Sequence, residues 1–175
     1  MTAPLEVRDA RVEDADAVAS IHVRSWRAAY RGLIDQEVLD SLSIPERAAN
    51  WRRFIAEPLP TSLGILVAVR DGAVLGWASL GSGRDVDGVD DGEVYGIYAD
   101  PDAWSTGVGR ALLTAAEERI VDAGHTRAYL WVLDGNDRAD AFYARQSWEL
   151  DGATKIDERA GFTLREHRRM KMLAR

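Results

Sequence analysis

The segment at residues 93–113, EVYGIYADPDAWSTGVGRALL, constrains the fold of this chain more than any other. A β-rich run from Glu93 to Ala99 stops at Asp100-Pro101, and a Gly-x-Gly turn then opens an apolar-striped helix. Proline removes a backbone donor and fixes φ, so a paired strand does not run through it. Gly107 and Gly109 let a partner approach the main chain with no Cβ in the way. Such a turn aims several N–H groups out of the positive end of a helix, which suits a phosphate or pyrophosphate. The alternative is a plain tight turn with close helix packing. The dinucleotide fingerprint asks for a third glycine three residues after the second, and Leu112 stands there. The Walker string Gly-Lys-Ser/Thr does not occur.

The pattern on either side predicts an α/β domain. Thr2 to Arg8 reads as a first strand, and Ala15, Val18, Ala19, His22, Trp26 and Ala29 recur at helical spacing until Gly32. A second helical region runs from Asp35 to Ala56, interrupted near Pro45, and Glu57 to Pro60 breaks it. Leu63–Val69 and Ala73–Leu80 are strands joined by the turn Asp71-Gly72. Gly81 to Gly92 is polar and reads as a loop. Leu112, Leu113, Ala116, Ile120 and Ala123 stripe the central helix, and Gly124 suits its C-terminal cap. Arg127–Leu133 is a strand, and a short helix runs from Asn136 to Gln146. Trp148–Gly152 and Phe162–Leu173 are two last strands joined by a polar loop. The sheet is therefore mixed, with a parallel strand–helix–strand crossover at its centre. The basic run REHRRMK is expected at a sheet edge, where charge discourages association.

Bulk properties remove several function classes. At 175 residues the chain fits one domain, 1–175, with one sizeable core. Cysteine is absent, which excludes disulfides, thiolate metal sites and cysteine nucleophiles, and is compatible with a cytoplasmic location. No bilayer-length apolar run and no secretory leader pattern are found, so no membrane partner is expected. A formal net charge of −7 argues against general nucleic-acid binding and is compatible with cationic partners such as amines. Asp85, Asp87, Asp90, Asp91 and Glu93 lack the EF-hand spacing, and a solvated loop is expected there. Three scattered histidines without His-Glu-x-x-His predict no metal site, and no Gly-x-Ser-x-Gly elbow is present.

The strand, Pro101 and Trp104-Ser105-Thr106-Gly107-Val108-Gly109 resemble the central acetyl-CoA motif of the GNAT superfamily of N-acetyltransferases. LWVLDGNDRADAFYARQSWELDG resembles the family's next strand, Asn-containing turn and "FY…GF" helix end, and SIHVRSWRAAYRGL its first helix. The resemblance spans nearly the whole chain. It departs at Trp104 and Thr106, where the family has Gln or Arg and often a basic residue, and at Ser147-Trp148 in the "GF" position.

The resemblance implies a mixed sheet with helices on both faces and splayed parallel central strands. It also implies acetyl-CoA as cosubstrate and a primary amine, of a small molecule, as acceptor. A protein amine, or a non-catalytic acyl-CoA sensor, stays open as the acceptor-side alternative, as does a homodimer. Cofactor contacts are implied at the main chain of Ile97, Tyr98 and Ala99, at Ser105, Thr106, Gly107, Val108, Gly109 and Arg110, and at Asn136. Tyr143 matches the family's general acid, and a phenol near neutral pH has a proton to give. Glu93 matches a carboxylate that acts as base through water, against the reading of an exposed strand-end residue. Asn136 is equally suited to cap the helix after it. His22, Trp26, Tyr30 and Tyr95 are candidates to line the acceptor cleft, with core packing the alternative for each.

Overall fold

The computed structural model describes residues 3–159 and 161–173. Seven strands form one sheet: β1 (Glu6–Asp9), β2 (Ser62–Arg70), β3 (Ala73–Ser82), β4 (Gly92–Ala99), β5 (Arg127–Leu133), β6 (Glu149–Arg159) and β7 (Phe162–Met172). Their spatial order is β1-β2-β3-β4-β5-β7-β6, antiparallel throughout except for the parallel β4–β5 pair. Five helices accompany them: α1 (Ala15–Ala29), α2 (Gln36–Asp40), α3 (Ile44–Ala56), α4 (Val108–Asp122) and α5 (Asp137–Arg145).

Strand periodicity sorts the core into layers. Along β2 and β3, Leu66, Ala68, Ala78 and Leu80 join Leu112, Leu113, Ala116 and Ile120 of α4 on one face. Val67 and Trp77 point the other way and pack with Val18, Ala19, Ala48 and Trp51 of α1 and α3. Helices thus cover both faces. α4 lies so close to the sheet that a Cβ on Gly76 would stand 2.7 Å from the Val108 side chain.

The β4–β5 pair positions everything that follows. Only Gly92↔Ala128 and Glu93↔Tyr129 are paired, and the strands then diverge. The cause lies in β4 itself. Ser79 pairs with Gly96 but Leu80 with Val94, so Tyr95 is an extra residue, a bulge that bends the strand. The expected splay is present, with β4 from Val94 onward open towards β5.

Several expectations are refined. β1 begins at Glu6, and Thr2 lies outside the described residues. The break between α2 and α3 falls at residues 41–43, and Pro45 sits in the first turn of α3, where its missing N–H costs nothing. Ser43 caps that helix through the Glu46 N–H at 3.3 Å. β6 runs to Arg159, so most of the expected polar loop is strand; polar residues suit it because it is the sheet's edge.

The basic run REHRRMK is inside the sheet, between β5 and β6. Three of its cations are matched: Arg168 bonds Asp87 at 2.7 Å and Asp151 at 2.7 Å, Arg169 bonds Asp140 at 2.7 Å, and Lys171 bonds Glu117 at 2.8 Å. The acidic segment at 85–91 is a largely exposed loop, as expected, anchored at a few of its acids. Asp91 pairs with Arg127 at 2.8 Å and Asp85 accepts from Trp131 Nε1 at 3.0 Å. No helix among the described residues is long and apolar enough to cross a membrane.

Candidate active site

The turn before α4 presents an array of free donors. Gly107 is left-handed at φ 92° and Ser105 has φ 63°, which folds residues 104–107 back over the helix start. No side chain caps α4, and the N–H groups of Ser105 through Arg110 bond to no described residue. Six donors at the positive end of a 15-residue helix form an anion cradle. Asp100 caps the preceding 3₁₀ turn through the Asp102 N–H at 2.9 Å, and Arg24 of α1 bonds Asp102 at 2.8 Å, fixing the turn against α1.

This cradle opens into a groove of about 590 Å³ along the gap between β4 and β5. Ile97, Tyr98, Ala99, Ser105, Gly107, Gly109, Arg110, Asn136 and Tyr143 all line it. Thr106 and Val108 do not. The Thr106 hydroxyl donates to the Ala103 carbonyl at 2.7 Å, and the Val108 side chain is buried in the core.

Backbone alternation decides which β4 amides are free. Asp100 N–H donates to Leu75 O of β3 at 2.8 Å. In extended chain the amides alternate, so the Tyr98 N–H also faces β3, while those of Ile97 and Ala99 face the gap. The Ala99 carbonyl is already taken by Trp104 Nε1 at 3.0 Å. Ile97 is therefore the gap-facing residue with both main-chain groups open, and Tyr98 contributes its ring rather than its backbone.

Asn136 caps α5, its side-chain oxygen accepting from Ala139 N–H at 3.2 Å, and this leaves its amide NH₂ free towards the groove. The Tyr143 hydroxyl makes no hydrogen bond among the described residues. Burial, then the neighbouring Tyr98 and Asp140, pushes this phenol far above its ordinary range, so it stays protonated. Sequence reasoning missed Arg138, whose guanidinium stacks 3.5 Å from the Trp104 ring at the groove wall. The departure at Trp104 thus carries a substitute cation from α5. The Asn-Asp-Arg start of that helix was its only sequence signal.

A second cavity, about 570 Å³, meets the groove at Tyr30, Tyr98, Trp131 and Leu133. It is lined by His22, Trp26, Tyr30, Glu93 and Tyr95 among others, which brings these five expected residues together. Tyr30 and Tyr98 share a 2.8 Å hydrogen bond at the junction.

Glu93 is buried, not exposed. It accepts from Arg84 N–H at 3.0 Å, Arg84 Nε at 3.0 Å, the far Arg84 nitrogen at 2.6 Å and the Tyr129 hydroxyl at 3.0 Å. Three of these donors converge on Oε2 and one reaches Oε1, so Arg84 and Tyr129 fix the carboxylate in place. The Tyr95 hydroxyl is bound to Ser82 O at 2.8 Å, and its ring lies 4.2 Å under the Arg84 guanidinium. His22 is ringed by Trp26, Trp51, Trp77 and Tyr98, with centroids 5.1–5.8 Å away. Burial, then Arg47 and Arg159, pushes its imidazole down to about 3, so it is neutral near pH 7.

The sequence pattern of the acetyltransferase (GNAT) family matches residues 19–148. An uncharacterized N-acetyltransferase, YuaI of Bacillus subtilis, is 34% identical over 131 residues, covering 74% of this chain and 72% of its own. Among solved structures, a GCN5-related N-acetyltransferase from Rhodopseudomonas palustris superposes with a TM-score of 0.78 at 21% identity, covering 99% and 98% of the two chains. YncA of Salmonella typhimurium, a putative acetyltransferase solved with acetyl-CoA, gives 0.71 at 20% identity, covering 99% and 96%. The family match over most of the chain sets the class, an N-acetyltransferase, and the donor-lined head of α4 and the splayed parallel pair fit it. The chain belongs to the acetyltransferase (GNAT) family.

Proposed function

We propose that this protein transfers an acetyl group from acetyl-CoA to a primary amine of a small molecule, by direct attack in a ternary complex. One observation carries this reading: Ser105, Gly107, Gly109 and Arg110 with their free amides, the open edge of Ile97 and the unpaired Tyr143 hydroxyl line one groove, and that groove meets a separate aromatic cavity. The solved neighbour that holds acetyl-CoA supports the choice of cosubstrate. The residues fit the group. Amides 105–110, with Arg110 and Arg138 beside them, would hold the pyrophosphate. Ile97 and the Asn136 amide would hold the pantetheine arm.

The steps follow from these positions. An ammonium entering the cavity gives up one proton to water: Glu93 is held by Arg84 and Tyr129, His22 is a weak base, and Asp85, Asp157 and Glu166 are engaged by Trp131, Arg159 and Lys155. The amine nitrogen then bonds to the acetyl carbon, and the Ile97 N–H stabilises the charge developing on the carbonyl oxygen. The carbon–sulfur bond breaks. Tyr143 donates a hydrogen bond to the thiolate. A thiol's ordinary pKa of about 8.5 lies below that of a buried phenol, so Tyr143 stabilises the sulfur rather than surrendering its proton outright. The second proton of the amine ends on the sulfur or in bulk water.

Aromatic rings beside carboxylates line the cavity, a setting that suits a small ammonium-bearing molecule and favours it over a protein chain as acceptor. Thiol release from acetyl-CoA over a panel of small amines and peptides tests this. Release with small amines is expected; release with peptides alone would overturn the acceptor assignment, and release with neither would overturn the enzyme reading.

A further inference from the structure

Four carboxylates, Asp85, Glu93, Asp157 and Glu166, line the acceptor cavity against three lysine or arginine side chains and a neutral His22. Three of the four are held by hydrogen bonds. Glu93 accepts from Arg84 and Tyr129, Asp85 from Trp131 Nε1 at 3.0 Å, and Asp157 from Arg159 at 2.8 Å. Glu166 of β7 is different. Its one ion pair among the described residues, with Lys155, is 3.6 Å long, beyond hydrogen-bond length. The Lys155 ammonium in turn lies 4.3 Å from the centre of the Trp131 ring. Burial raises the Glu166 pKa above the ordinary carboxylate value, and Lys155 offsets this only in part. The side chain nevertheless keeps 14% exposure and lines the cavity, so a molecule there can reach its oxygens. A half-buried carboxylate with open lone pairs is costly unless a donor comes to fill them.

The sheet places this carboxylate next to the reacting centre. Glu166 stands opposite Leu133 of β5 and Lys155 of β6, and Leu133 is one of the four residues shared by cavity and groove. Strand alternation puts Glu166 on the same face as Leu164, which packs with Trp26 and Tyr30. Burial, then Tyr98, pushes the Tyr30 phenol well above its ordinary range, and Tyr143 and Glu166 both add to the push. Tyr30 therefore has Tyr143 of the groove and Glu166 of the cavity within electrostatic reach.

We infer that Glu166 is the acceptor-binding residue: its carboxylate receives the N–H groups of the incoming ammonium beside the Tyr30–Tyr98 junction. This rests on the acetyltransferase reading and deepens it, naming the residue that selects the acceptor and the class it selects. A carboxylate short of donors gains much from a cation and little from a neutral amine. The acceptor class is therefore the aliphatic ammonium and not the arylamine, which is uncharged near pH 7. Lys155 favours the charged form of Glu166, so Glu166 holds the ammonium while water takes its proton. Lys155 also competes with the ammonium for the same oxygens.

Two measurements on the full chain test this. In the first, thiol release from acetyl-CoA is followed with benzylamine. Glu166→Gln should raise KM for benzylamine by about ten-fold or more, with KM for acetyl-CoA little changed, whereas Lys155→Gln, which removes the competing cation, should lower it roughly three-fold. An ion pair that only holds β6 to β7 would make both substitutions harmful alike. A benzylamine KM unmoved by Glu166→Gln, or raised alike by both variants, overturns the inference. In the second, benzylamine and benzyl alcohol, alike in shape but with only the amine charged near pH 7, are titrated against tryptophan fluorescence without acetyl-CoA. Saturable quenching by benzylamine that benzyl alcohol does not match and Glu166→Gln loses supports the ammonium site even if no amine is turned over, in which case the enzyme reading alone has failed. Equal binding of the two probes by wild type, or no quenching by benzylamine, overturns the site without recourse to any variant.

Discussion

Tyr143 and Glu93 show how surroundings decide what a polar side chain is free to do. Tyr143 has no partner and a strongly raised pKa, so it is a neutral donor waiting for an acceptor. Tyr143→Phe removes one hydrogen bond to a developing thiolate, and such bonds contribute about 1.5–3 kcal/mol. The expected kcat loss is roughly 10- to 100-fold with KM for acetyl-CoA little changed, read by steady-state thiol release. Glu93 was legible in the sequence as a carboxylate near the site, but its donors were not. Arg84 is brought to it by the loop after β3 and Tyr129 by the first rung of β5. Glu93→Gln should therefore act on folding before chemistry. We expect a loss of about 1–3 kcal/mol of stability by denaturant unfolding and an unchanged pH profile of kcat. A shifted profile in a stable variant would restore Glu93 as a base.

At the scale of elements, α4 and its turn are where sequence and structure agree most closely. Pro101, Gly107 and Gly124 mark the strand's end, the helix's start and its cap because each solves a backbone problem that other residues solve poorly. Gly107 at φ 92° and Gly124 at φ 97° share the same conformation, and a Cβ at either would meet no atom within 4 Å. Gly107→Ala and Gly124→Ala should thus cost similar stability, about 1–2 kcal/mol each. Only Gly107→Ala should also weaken CoA binding, by calorimetry, because only its amide faces the groove. The edge strand was harder to read. β6 and β7 carry few apolar residues, and their order in the sheet depends on which distant acids meet Arg168, Arg169 and Lys171. That matching, Asp87, Asp140 and Glu117 against the basic run, is set by tertiary contact and leaves no local pattern. The bulge at Tyr95, which opens the β4–β5 gap, is equally silent in a strand that reads as continuous β.

Across the whole molecule, charge ties the late elements together, and two histidines give that network a pH signature. His167 of β7 bridges Asp134 at 2.7 Å and Asp140 at 2.8 Å. Burial opposes its charge, but the two carboxylates outweigh burial and raise its pKa above 6.5. Its contribution is full below about pH 6.5 and is lost as pH rises through the higher folded value. His22 works in the opposite direction. Depressed to about 3 by burial, it favours folding above pH 6.5 and withdraws that stability as pH falls towards 3. Melting temperature against pH should therefore decline on both sides of neutrality, and His167→Gln should flatten the alkaline side alone. A slope there that survives the substitution would assign it elsewhere.

The proposed transfer depends on the turn before α4 holding a CoA pyrophosphate on its main chain. The most direct measurement is a CoA titration followed by backbone amide chemical shifts. Large, saturable shifts should appear at Ser105 through Arg110, at Ile97 and at the Asn136 side-chain amide, with the acceptor cavity around His22 and Trp51 little changed. Shifts confined to other surfaces, or none at saturating CoA, would contradict it.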